Sequence, residues 1–155
     1  MGLLQTGLVK NALESDPVVN LLKRTVPPMD RFLLKATRGW ANTGLQTVVL
    51  LETVGAKSGQ KREIATLCMP MGLDLIVVGS NWGGDRDPAW VHNLRANPEA
   101  VVRFRGYYGP VQAKELKGRE RVAMWDSLVR YNPQYAVYQE GTSRRIPVMQ
   151  LTRSE

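Results

Sequence analysis

The sequence predicts a single compact α+β domain built around an antiparallel β-sheet. Helical periodicity extends to about residue 44, and short β-type apolar runs separated by Gly-containing turns follow it. Several strands linked by hairpins imply a closed or nearly closed sheet. We therefore divide the chain into an N-terminal helical segment, 1–44, and a barrel-forming part, 45–155.

Two helices are predicted within the N-terminal segment. The first, in "ESDPVVNLLKR", has Pro17 at its first position after a Ser15 or Asp16 cap, and the prolines at 27–28 end it. The second, "MDRFLLKATRGW", runs toward Gly39.

The first helix carries an apolar stripe beside two cations, formed by Val18, Leu21, Leu22, Lys23 and Arg24. The stripe either packs on the barrel or a partner chain, which is the commoner outcome, or lies on a membrane surface.

The strands of the barrel follow in short apolar runs, with "MGLD" and "GYYG" among the predicted turns. The predicted strands are "TVVLLETV", "REIATLCMP", "DLIVVGS", "AVVRFRG", "GPVQAKEL" and, at the end of the chain, "RIPVMQLT".

Two further helices interrupt and follow these strands. In "DPAWVHNLRANP", Asp87 is the predicted cap, Pro88 the first helical residue and Asn97-Pro98 the stop. The later helix, "GRERVAMWDSLVRYN", places four apolar side chains on one face: Val122, Trp125, Leu128 and Val129.

Composition excludes several classes of protein. One cysteine and one histidine, Cys68 and His92, make a metal site improbable and leave no Ser-His-Asp or Cys-His catalytic set. The longest apolar runs are far shorter than a membrane-spanning helix, so we expect a cytoplasmic protein. A net charge of +7 and a pI near 9.9 indicate an anionic partner.

The basic stretch "GAKSGQKRE" is the first candidate site. It lacks the first Gly of a Walker A loop, which leaves a glycine-bracketed turn with Lys57 in the turn and Arg62 at the start of the next strand. Glycines allow backbone N–H groups to approach an anion, and Lys and Arg donate to phosphate or carboxylate. The alternative is an ordinary solvated hairpin tip.

The stretch "GSNWGGDRDPAW" is the second candidate. It combines hydrogen-bonding groups with little side-chain bulk, so a flat ring or a phosphate can lie against its backbone. In the alternative interpretation, the glycine pair only makes the connection to the following helix.

The tyrosines of "RYNPQYAVYQEGTSRRIP" are the third candidate. Tyr135 and Tyr138 share a face if the segment is helical, where a phenol can shape a pocket and donate a proton. The alternative is simple packing. Because the usual protein nucleophiles are missing, an enzyme of this sequence depends on a bound cofactor for its chemistry.

Taken together, "TVGAKSGQKRE", "LIVVGSNWGGDRDPAWVHNLRANPEAVV" and "NPQYAVYQEGTSRRIPV" resemble the deazaflavin-dependent nitroreductase family. That family belongs to the split β-barrel oxidoreductases that use coenzyme F-420, an 8-hydroxy-5-deazaflavin. The resemblance covers residue 46 to the end. It implies a split β-barrel, FMN-binding-like in fold, with helices around the barrel.

The resemblance also implies roles for individual residues. Those near the anionic tail or ring of F-420 are Lys57, Ser58, Gly59, Arg62, Ala65, Thr66, Ser80, Asn81, Gly83, Gly84, Trp90 and Asn93. Those on the list of candidate proton donors are Tyr135, Tyr138 and Ser80. Asn132 stands where some nitro-reducing members carry tyrosine, so nitroimidazole reduction is not predicted.

The implied activity is hydride transfer from reduced F-420 to a quinone, an enone or a nitroaromatic compound. A non-catalytic F-420 carrier and an FMN-dependent barrel are the alternatives, and a nucleic-acid binder ranks last. A small-molecule substrate, a homodimer and peripheral contact with the inner face of the membrane complete the expectations.

Overall fold

The computed structural model describes residues 47–154. Its elements are β1 (Val48–Val54), β2 (Lys61–Met71), β3 (Asp74–Val78), a 3-10 turn (Asn81–Gly83), α1 (Ala89–Ala96), β4 (Glu99–Phe104), β5 (Tyr107–Glu115), α2 (Gly118–Tyr131), α3 (Gln134–Glu140) and β6 (Val148–Arg153). The helices predicted within residues 1–44, with their apolar stripe, lie outside the described residues. The predicted boundary at residue 44 therefore stays a prediction.

The six strands form a closed antiparallel barrel in the order β1-β2-β3-β6-β5-β4. This confirms the antiparallel barrel expected from the sequence. The β2–β3 hairpin shows why the chain turns where "MGLD" predicted: Met71 pairs with Asp74, and Gly72 between them has a φ of 60°. Glycine adopts this left-handed conformation without the steric penalty of a Cβ atom.

Cα packing divides the chain into two compact units, and the described residues of the first are 47–52, Glu63–Leu67 and Val101–Gly109. Within this unit β1 pairs with β4, Leu50 opposite Arg103 and Leu51 opposite Val102. Val48 and Leu50 are buried against Ala65 and Leu67. This unit therefore has an apolar cluster of its own.

The second unit contains Thr53–Arg62, Cys68–Ala100 and the described residues from Pro110 onward. Its strand β3 pairs with β2 on one side and with β6 on the other, and β5 pairs with β6. Helices α2 and α3 cover its apolar cluster. The buried members are Met69, Ile76, Val78, Leu116, Leu128, Tyr135, Ile146 and Val148.

Three local expectations are wrong. The turn expected at "GYYG" lies earlier, at Arg105 and Gly106, both with positive φ, and Tyr107 already belongs to β5. On α2, Val122 is exposed although its predicted partners pack on the core. Asp87 makes no cap, since α1 begins at Ala89 after Pro88 without a side-chain cap hydrogen bond.

Among the described residues, 47–154, no helix has the length and apolar character needed to cross a bilayer.

Candidate active site

The basic hairpin between β1 and β2 is a tight turn held by its own backbone. The Gly55 N–H donates to the Gln60 carbonyl at 2.7 Å, and the Gly59 N–H donates to the Gly55 carbonyl at 2.9 Å. Ser58 Oγ accepts from the Gln60 N–H at 3.2 Å, and an added Cβ at Gly55 would lie 2.5 Å from that oxygen. The Lys57 side chain, in this turn, is exposed to solvent.

Asn93 on α1 ties this hairpin to the helix. Its Oδ1 accepts from the Ala56 N–H at 2.9 Å, and its Nδ2 donates to Thr53 Oγ1 at 3.0 Å. Asn93 is buried, and so is Trp90 one turn earlier. Both were expected near the cofactor, and the structure gives Asn93 the specific role of fixing the hairpin backbone.

Replacing Asn93 with Leu is expected to destabilise the protein by about 2–4 kcal/mol, because it strips partners from a backbone N–H and from the buried Thr53 hydroxyl. Thermal and denaturant unfolding measure the loss, and His92→Leu, an exposed position on the same helix, is the control. Equal stability of the two variants would contradict this role of Asn93.

The loop after β3 has an unusual backbone. Asn81, Trp82 and Gly83 have successive φ values of 45°, 56° and 80°, and side chains other than glycine rarely adopt this region. The Gly83 N–H donates to the Ser80 carbonyl at 2.8 Å, and the Gly84 N–H donates to the Asn81 carbonyl at 3.0 Å. Asn81 Nδ2 also donates to the Arg86 carbonyl at 3.1 Å. The glycine pair in the sequence indicated a turn, but it did not indicate that Trp82 has a left-handed backbone conformation.

Tyr138 on α3 packs against this loop. Its ring meets Trp82 edge to face, with the ring centroids 6.4 Å apart, and an added Cβ at Gly83 would lie 3.4 Å from the Tyr138 ring. Burial raises the pKa of Tyr138 to about 12, so its phenol stays protonated at neutral pH. Tyr138 is half-buried and therefore keeps part of its surface accessible.

Tyr135 on the same helix has a different environment. It is only 2% exposed and packs in the apolar cluster with Trp125, at a ring separation of 6.4 Å. Burial raises the pKa of its phenol still further. This position favours Tyr138 over Tyr135 as the proton donor, although the assignment stays a prediction.

Arg144, which no sequence pattern singled out, reaches back to the same loop. Its Nε donates to the Gly84 carbonyl at 2.9 Å and its Nη2 to the Ser80 carbonyl at 2.8 Å. Its Nη1 donates to the Gly79 carbonyl at 3.1 Å and to Asp87 Oδ1 at 2.7 Å. The only available signal was the Arg pair in "SRRIP", which resembles an ordinary surface segment.

The predicted residues thus fall into two groups of the second unit and one of the first. Ser80, Asn81, Gly83 and Gly84 form the loop that contacts Tyr138, and the hairpin with Lys57, Ser58 and Gly59 is held by Asn93. Arg62 is exposed at the start of β2. Ala65 and Thr66 lie half-buried on β2 in the first unit.

A family model described as F-420H(2)-dependent quinone reductase matches residues 30–153. The chain belongs to this family.

Individual relatives agree with the family. An F-420H(2)-dependent quinone reductase of Mycobacterium tuberculosis is 34% identical over 113 residues, which cover 71% of this chain and 76% of the relative. The solved structure of an F-420-H2 dependent reductase (FDR-A) has 37% identity and a TM-score of 0.61, covering 67% of this chain and 92% of that chain. Another solved structure, described as a domain-swapped dimer, has 32% identity and a TM-score of 0.64 over 88% of this chain and 99% of that chain.

Membership of the F-420H(2)-dependent quinone reductase family confirms the resemblance and the barrel fold. It also confirms the predictions of an oxidoreductase and of coenzyme F-420 as its cofactor. The roles of the individual site residues stay predictions.

The residues of the second unit fit both ends of this cofactor. For the anionic tail, exposed Lys57 and Arg62 supply cations, and the space beside Gly59 is open, since an added Cβ there would meet no atom within 4 Å. For the ring, the loop offers glycine backbone beside the aromatic pair Trp82 and Tyr138.

Proposed function

We propose that this chain reduces a quinone to the hydroquinone at the expense of reduced F-420. The observation that carries the proposal is Tyr138, a half-buried phenol packed against Trp82 and Gly83 in the loop that we assign to the deazaflavin ring. The names of the family and of its curated relatives, F-420H(2)-dependent quinone reductases, support the quinone as the acceptor.

The cofactor's anionic tail is assigned to the basic hairpin. Lys57 and Arg62 provide an ammonium and a guanidinium for phosphate and carboxylate groups. Asn93 holds the start of the hairpin by accepting from the Ala56 N–H, directly before Lys57, and donating to Thr53. The net charge of +7 favours the encounter with a polyanionic cofactor.

When bound, reduced F-420 supplies a hydride from C5 of its ring, and its carbon at that position favours two-electron transfer. One hydride and one proton together convert a quinone to the hydroquinone. The protein must therefore stack the acceptor over the ring, exclude water and deliver the proton to a quinone oxygen. Tyr138 is the proposed donor, and the Ser80 hydroxyl, in the same loop, is the alternative.

The proposal is tested by mixing the protein with reduced F-420 and following its reoxidation with a menaquinone analogue, an enone and a nitroaromatic compound. We expect the highest kcat/KM with the quinone. Faster turnover of the enone or the nitroaromatic compound would contradict the quinone assignment. Reduced F-420 that binds and is never oxidised would indicate a carrier.

Titration with F-420 and FMN side by side, read by quenching of tryptophan fluorescence, accompanies this assay. We expect tighter binding of F-420 than of FMN, since FMN lacks the carboxylates that the basic hairpin is proposed to hold.

A homodimer is also proposed for this chain. The relative whose solved structure is described as a domain-swapped dimer supports it, and the particle mass in solution, compared with 17.4 kDa for one chain, checks it. The peripheral membrane contact expected of the N-terminal stripe rests on residues outside the described ones.

A further inference from the structure

Arg144 holds both ends of the strained loop after β3. Its guanidinium donates to the carbonyls of Gly79 and Ser80 before the left-handed residues, and to the carbonyl of Gly84 after them. All three guanidinium nitrogens are used, and the Arg144 side chain is only 15% exposed. We call Arg144 and the Gly79–Gly84 backbone that it binds the arginine clamp.

The loop needs such a clamp because its backbone is strained. Asn81 and Trp82 both have positive φ, and a non-glycine residue holds this conformation only where its surroundings over-determine it. Within the loop, the hydrogen bonds to the Ser80 and Asn81 carbonyls make the 3-10 turn. The contacts of Arg144 come from outside the loop and fix where the turn begins and ends.

The clamp is itself anchored from two directions. Asp87 Oδ1 accepts from Arg144 at 2.7 Å, and Asp87 Oδ2 accepts from Arg95 at 2.9 Å. Arg95 also pairs with Glu115 on β5 at 2.6 Å, and its hydrogen bond lowers the pKa of that carboxyl. The Arg144 guanidinium is therefore kept in one orientation by an ion-pair network.

The second anchor comes from the helix that carries Tyr138. Gln139 Nε2 donates to the Arg144 carbonyl at 2.7 Å, and Gln139 Oε1 accepts from the Ile146 N–H at 3.0 Å. Gln139 follows Tyr138 directly in the sequence, and its side-chain amide fixes the backbone of Arg144.

We infer that Arg144 is a positioning residue for the cofactor: the clamp holds the loop in the conformation that receives the deazaflavin ring. This inference rests on the proposed assignment of the loop to F-420. Arg144 is not proposed to touch the cofactor, and it acts through the backbone that it binds.

The inference predicts that removing Arg144 weakens the binding of F-420 and leaves kcat nearly unchanged. Without the clamp, only a fraction of the molecules have the loop in the receptive conformation. The apparent Kd for F-420 is then the intrinsic Kd divided by that fraction. Once F-420 is bound, the loop is back in place, so kcat at saturating F-420 changes little. A purely structural residue would lower stability and leave the Kd of the folded protein unchanged.

The test uses the full chain with Arg144→Met, and with Arg145→Met as control, since Arg145 is the exposed neighbour of the same type. F-420 titration is expected to give a Kd raised about 10- to 100-fold for Arg144→Met, equivalent to about 1.4–2.7 kcal/mol. For Arg145→Met the Kd is expected within about twofold of the wild type, because surface charges contribute little.

Hydrogen exchange of the protein without F-420 gives a readout that does not depend on the cofactor assignment. The amides of residues 80–86 are expected to exchange faster in Arg144→Met than in Arg145→Met. Faster exchange with an unchanged Kd would overturn the cofactor role of the clamp while leaving wild-type turnover, and with it the proposed function, intact. Unchanged exchange and unchanged Kd would overturn the clamp itself.

Arg144→Lys separates geometry from charge. Lysine keeps the positive charge but has no planar fork to reach three carbonyls and a carboxylate, so its Kd is expected within about threefold of that of Arg144→Met. A wild-type Kd for Arg144→Lys would overturn the geometric role.

If Arg144→Met fails to fold, Asp87→Asn weakens the anchor instead. It is expected to raise the Kd about three- to tenfold and to speed exchange in the same residues, and no change in either would overturn the inference.

Discussion

Replacing Tyr138 with Phe is expected to lower kcat/KM for a quinone by about 10- to 10⁴-fold, a loss that fits general-acid catalysis, while F-420 binding stays close to that of the wild type. The phenol matters when charge develops on the acceptor oxygen and not when the cofactor binds, so the loss belongs mainly in kcat. A loss mainly in KM would instead indicate that Tyr138 positions the acceptor.

Two other tyrosines provide comparison variants for this experiment. Tyr108→Phe, at an exposed position on β5, is the control and should turn over normally. Tyr135→Phe removes a hydroxyl buried in the apolar cluster, and its effect is expected on stability. If Tyr138→Phe, Tyr135→Phe and Ser80→Ala all reduce the quinone as fast as the wild type, none of the three donates the proton and water does.

The second large effect concerns affinity for the cofactor. Lys57→Ala and Arg62→Ala should each weaken F-420 binding by about 1.5–3 kcal/mol, if each makes a charge-assisted hydrogen bond to the anionic tail. Fluorescence titration measures the two losses. Added salt should weaken F-420 binding by the wild type more than by the double variant. Salt screens the attraction between the tail and the two cations, and the double variant lacks both cations.

Arg119→Ala, an exposed cation on α2, controls for the loss of one positive charge and should bind nearly as the wild type does. Normal binding by both the Lys57 and the Arg62 variant would remove the hairpin as the site of the tail.

The sequence was sufficient for features that depend on local pattern. The apolar runs and the turn at Gly72 predicted the strands and an antiparallel sheet, because alternation and glycine act over a few residues. The basic hairpin could likewise be identified, since Lys57 and the glycines around it are adjacent in the chain.

The sequence was insufficient where a side chain acts on distant backbone. Arg144 binds carbonyls 60 to 65 positions earlier, and no local pattern indicates such a contact. Asp87 was expected to cap α1 because it precedes Pro88, but the two guanidinium groups that reach it take its carboxylate. Asp87 therefore forms ion pairs with Arg95 and Arg144 in place of the predicted capping hydrogen bond to the first turn of α1.

The two tyrosines show the same limit. Helical spacing placed Tyr135 and Tyr138 on a common face, and α3 does contain both. Only the packing of Trp125 against one and of Trp82 against the other distinguishes a core side chain from a candidate donor. Helical spacing predicts the side of the helix on which a side chain lies, whereas the burial of that side chain depends on the residues that pack against it.

The buried Asn93 amide has a consequence for protein engineering. The conformation of the hairpin depends on Asn93 and Thr53, neither of which is charged, whereas its electrostatic character depends on the exposed side chains of Lys57 and Arg62. Shape and charge are therefore encoded at separate positions. A library that varies only the two cations should yield folded proteins that differ in their preference for tail length and charge, which makes this hairpin a suitable place to change cofactor selectivity.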